Sequence, residues 1–91
     1  MPTEAVYLSA HKTVRFAVYP DGLEGPRILA EISEDALKIY CGASDLPEEI
    51  VESYRANFGK IQMLALEKYA RSPSTFILID EKDMRDAYRK E

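Results

Sequence analysis

Few residues of this 91-residue chain are of types that do chemistry, and their spacing decides what they could do. His11 is the single histidine. As a general base it would need a carboxylate or nucleophile beside it, and none lies nearby in sequence, which leaves an exposed loop histidine. Cys41 is the single cysteine, so no internal disulfide forms, and it fits a reducing cytoplasm. It falls at the end of a predicted helix, where the dipole raises a thiol pKa, so it reads as a small apolar residue and not a nucleophile. One histidine and one cysteine would need two carboxylates to complete a zinc set, an uncommon combination. Asp80, Glu81 and Asp83 follow a predicted strand end, where a divalent metal could sit, but helix capping explains the same three residues. Glu48, Glu49 and Glu52 have that same explanation. No metal, cofactor or phosphate motif is legible, and no catalytic residue is assigned.

The composition is 46% hydrophobic and 31% charged, with a net charge of −4. It describes one ordinary globular domain over residues 1–91, burying roughly 60–65% of its unfolded surface, so its core is thin. The acidic balance argues against nucleic acid and anionic membranes, whose recognition rests on clustered cations. Lys12, Arg15, Arg55, Lys60, Lys68 and Arg71 are interleaved with acids. No apolar run approaches a membrane span, and the N-terminus lacks the regions of a signal peptide.

The organising element is Asp45 to Arg71, predicted as one long helix. Asp45 is its expected N-cap, Glu48 completes a capping box, and Pro47 sits where its missing N–H costs nothing. Ser72-Pro73 ends it. At 100° per residue, Ile50, Val51, Tyr54, Phe58, Ile61, Leu64, Ala65 and Tyr69 form a core face. A second stripe, Ala56, Gly59, Met63, Leu66 and Ala70, follows heptad steps of three and four. It is covered either by the last segment, through Met84, Ala87 and Tyr88, or by the short helix, or by a partner.

Around the helix, Ala5 to Leu8 is a weak strand signal. Thr13 to Tyr19 and Arg27 to Ser33 alternate as an antiparallel hairpin. Ser33 caps a short helix from Glu34 to Cys41, closed by a left-handed Gly42. Thr75 to Ile79 is apolar at four successive positions, the pattern of a strand buried on both faces. Asp80 caps a final helix over Glu81 to Glu91. The predicted fold is α+β: a small, mainly antiparallel sheet of three to four strands packed on one long helix, plus short helices.

The run VRFAVYPDG, the pattern of Ile32, Ser33, Ala36 and Leu37, the helix YRANFGKIQMLALEKY and the closing FILID resemble a family of small bacterial proteins, domain of unknown function 1488. The resemblance spans Val14 to Asp80 and implies a small cytoplasmic α+β protein, with no activity or site residues to carry over. Family members often have Ile-Glu-x-x-Ala in the helix. Here Gln62 takes the place of the acid, between Ile61 and Ala65.

Three functions are compatible with the residues. The first is a non-catalytic interaction or regulatory module that self-associates, as a homodimer, or binds another protein through Ala56, Gly59, Met63, Leu66 and Ala70. The second is a small enzyme with a carboxylate and tyrosine site near Tyr40, Tyr54 and Asp80. The third is a nucleic-acid-associated regulator.

Overall fold

The computed structural model describes residues 5–74 and 76–89. Eight elements follow in order: β1 Ala5–Leu8, β2 Thr13–Val18, β3 Ile28–Ser33, α1 Glu34–Cys41, α2 Pro47–Ala56, α3 Phe58–Arg71, β4 Phe76–Ile79 and α4 Glu81–Arg89. The fold is α+β, with one four-stranded mixed sheet in the order β1-β2-β3-β4. The first three strands pair antiparallel, whereas β4 runs parallel to β3, with Leu29 opposite Phe76 and Ile32 opposite Ile79. A parallel neighbour needs a long crossover, and the three helices α1 to α3 supply it.

Alternation within the strands sends Val14, Phe16, Val18, Ala30, Ile32, Ile77 and Ile79 to one face, where they are buried. Ile50 and Tyr54 of α2, Ile61 and Ala65 of α3, Ala36 and Leu37 of α1 and Met84 of α4 close over them. The expected core face of the helical region is therefore correct, Val51, Phe58, Leu64 and Tyr69 packing at its margin. The Tyr54 ring lies 4.8 Å from that of Phe16. Gln62 donates to the Ala17 carbonyl at 3.0 Å and to the Tyr54 hydroxyl at 3.4 Å. Gln62 thus ties α3 to β2.

The single long helix does not form. Asn57, at φ −117° and ψ 18°, separates α2 from α3. Its side-chain amide donates to the Ser53 carbonyl at 2.9 Å, taking the acceptor that a continuing helix would offer to its own backbone. Gly59, two residues on, adds little helical preference. The start differs too. Leu46 is the N-cap and makes no side-chain cap, while Asp45 pairs with Lys38 at 2.6 Å. Ser44 does the local bonding, accepting from Leu46 N at 3.2 Å and donating to Glu49. Pro47 holds the first helical position as expected.

Ser33 caps α1 by accepting from Ala36 N, and Gly42 closes it at φ 70°. Asp80 and Asp83 cap α4 reciprocally: each carboxylate accepts from the other's backbone N–H, at 3.0 and 3.1 Å. β4 departs from expectation. Ile77 and Ile79 are buried, but Phe76 and Leu78 are exposed, because β4 is an edge strand with helices on one side only. Thr75 of the expected strand, and residues 90 and 91 of the expected last helix, lie outside the described residues. Among the described residues no helix is long and apolar enough to cross a membrane.

Candidate functional site: two uncovered apolar faces

The second helical stripe is uncovered. Ala56, Gly59, Met63, Leu66 and Ala70 are all exposed, Met63 by 61% and Leu66 by 38%. The break at Asn57 leaves Ala56 at the end of α2 and the other four on α3. A side chain at Gly59 would meet nothing within 4 Å, so no contact among the described residues calls for glycine there. The last segment does not cover the stripe. Met84 is buried in the core, and Tyr88 stacks on Tyr40 at 5.3 Å between ring centres. The Lys60 ammonium sits 3.8 Å over the Tyr88 ring.

A second uncovered face escaped the sequence reading. The side of the sheet away from the helices carries Val6, Leu29, Phe76 and Leu78, all exposed. Among them lies a buried carboxylate. Glu31 is only 3% exposed. Its Oε1 accepts from Thr13 Oγ1 at 2.7 Å and lies 3.3 Å from His11 Nδ1. Its Oε2 accepts from Arg15 Nε at 3.2 Å and from a terminal guanidinium nitrogen at 2.9 Å. Burial opposes ionisation, but the bonds from Thr13, Arg15 and His11 outweigh it and hold the carboxyl below its usual range. An ionised carboxylate only accepts, so His11 presents its Nδ1 proton to Glu31. The fold therefore supplies the acid partner that sequence proximity lacked. Register could have shown it, since Arg15 and Glu31 face each other across β2 and β3.

Other candidates are used structurally. Tyr54 is buried against Phe16, Tyr40 stacks on Tyr88, and Asp80 caps α4, so each has a structural use. A groove of about 330 Å³ lies between α3 and α4, walled by Glu67, Asp83 and Asp86 against Lys68, Arg71 and Arg89. Lys68 is already bonded to Asp83 at 2.7 Å and to the Leu78 carbonyl at 2.5 Å. Cys41 is half-buried, and burial pushes its thiol pKa up against the opposing influence of Tyr88 and Lys60. The direction agrees with the sequence reading, though burial is the cause. Among the described residues no three His, Cys, Asp or Glu side chains cluster as metal ligands.

No protein-family model matches this chain, and no curated protein or solved structure matches it either.

Proposed function

We propose that the protein is a non-catalytic interaction module that self-associates through the second face of α3. One observation carries this reading: Gly59, Met63, Leu66 and Ala70 form an apolar stripe on α3 that no part of the described chain covers. Apolar surface left in water marks contact sites. Glycine inside a helix costs about 1 kcal/mol relative to alanine, and nothing among the described residues offsets it. A second helix approaching closely along the stripe would. Isologous pairing of two such stripes gives a dimer, in which Met63 and Leu66 are the central contacts.

Leu66→Glu tests this directly. The side chain is exposed in the monomer, so far-UV circular dichroism stays unchanged while the mass in solution falls below that of the wild type at the same concentration. Unfolding of the variant, or a mass equal to that of the wild type, removes Leu66 from the contact.

A further inference from the structure

We infer that the open face of the sheet is a contact surface in its own right, and that its occupant is the same face of a second copy, turned about a two-fold axis parallel to the strands. This goes beyond the helical contact and stands on different residues.

An antiparallel sheet with one free face ordinarily carries polar residues there. This face has Val6 and Leu8 from β1, Ala17 from β2, Leu29 from β3, and Phe76 and Leu78 from β4. The charged pair among them, Arg15 and Glu31, is mutually neutralised. A face of that kind meets another apolar layer without leaving a charge unpaired.

The arrangement also matches its own two-fold image. Pairing register places Val6, Arg15, Glu31 and Leu78 in one row across the four strands. Rotation about an axis parallel to the strands, midway between β2 and β3, reverses the row. Val6 then lies over the partner's Leu78, and Arg15 lies over the partner's Glu31. The same rotation brings the hairpin turn holding His11 and Lys12 toward the partner's Asp80 and Glu81, because both segments lie at one end of the sheet. The Lys12 ammonium meets acids twice, once on each side of the axis. An axis perpendicular to the strands, lying along that row, would instead set Arg15 over the partner's Arg15 and Glu31 over the partner's Glu31.

Four strands about 4.8 Å apart and four to six residues long make a face of roughly 20 by 15–20 Å. That is roughly 300–400 Å² per copy against about 800 Å² per partner in a standard interface, so the pairing is weak and reversible on dilution. Two sheets packed this way form an eight-stranded sandwich.

Paired cysteines read the axis directly. In a Cys41→Ser background, Val6→Cys and Leu78→Cys are three strands apart within a chain, roughly 14 Å, too far to bond to each other. Between copies they are opposed. Packed sheets lie about 10 Å apart, beyond the reach of a disulfide, so the double variant is treated with a bifunctional thiol reagent of about 8 Å span, which is too short for the intrachain pair; it should give a covalent dimer on a denaturing gel, and Val6→Cys alone should give little. The same pair in a Leu66→Glu background should cross-link equally well, which separates this contact from the helical one. A double variant that stays monomeric, a single cysteine that cross-links as well as the pair, or loss of cross-linking with Leu66→Glu would each overturn the inference.

Discussion

The two faces of the sheet are built from the same strands by the same alternation, yet they differ in what surrounds them. On the inner face Val14, Phe16, Ala30, Ile32 and Ile79 are fully or almost fully buried beneath four helices. On the outer face Leu29, Phe76 and Leu78 are similarly apolar and remain 37%, 45% and 43% exposed. One face is satisfied within the chain; the other is satisfied only at its centre, where Thr13, Arg15 and His11 close over Glu31. Side-chain chemistry thus calls for two covered faces, and the chain supplies cover for one. The comparison generalises to the helices, where the core stripe is buried and the stripe through Met63 and Leu66 is not.

Substitutions separate the two faces by size and kind of effect. The largest loss is expected inside. Ile32→Ala removes a fully buried side chain under the helices and should cost about 2–5 kcal/mol in urea unfolding, with no effect on association of whatever remains folded. Next comes Glu31→Gln, which keeps the shape but removes the charge that holds Arg15. Because Arg15 can turn to water, a loss of about 1–3 kcal/mol is expected at neutral pH. The pH dependence fixes its origin. Glu31 has a folded pKa below the ordinary 4.5, so its stabilisation is in place above that value and disappears as pH falls through the lower folded one. The gap between wild type and Glu31→Gln should therefore close in acid. A gap that persists below the carboxylate range would assign the loss to shape and not charge.

A smaller effect belongs to the cap of α4. Asp80→Ala removes one half of the reciprocal pair with Asp83 and should cost about 1 kcal/mol, read by urea midpoint. Smallest in the monomer is Gly59→Ala. With open space around it, the added methyl should stabilise by about 0.5–1 kcal/mol through helix propensity. If α3 pairs closely with a second copy, the same change weakens association. Opposite signs in unfolding and in dimer dissociation are the expected signature.

Much of this architecture was legible because it is local. Ser33 and Gly42 bracket α1, Asp80 marks the start of α4, and alternation in Thr13–Val18 names its inner residues, since each signal lies within a few positions. Two expectations failed where a nonlocal or competing bond decides. Asn57 could not be known to turn its amide onto the Ser53 carbonyl, so a periodic stretch read as one helix is two. The run from Phe76 to Ile79 is apolar at every position, but composition cannot say whether an outer face is covered by the chain or left for something else. Glu31 was passed over for a related reason: its partners His11, Thr13 and Arg15 are 16 to 20 residues away and meet it only through strand register. The helical stripe was visible as a pattern of spacing, while its exposure required the fold.

The most direct test of self-association is light scattering behind size-exclusion chromatography, over a dilution series of the wild-type protein. The account predicts a mass of at least twice 10.3 kDa at high concentration, falling toward one chain on dilution. A mass of 10.3 kDa at every concentration would contradict it.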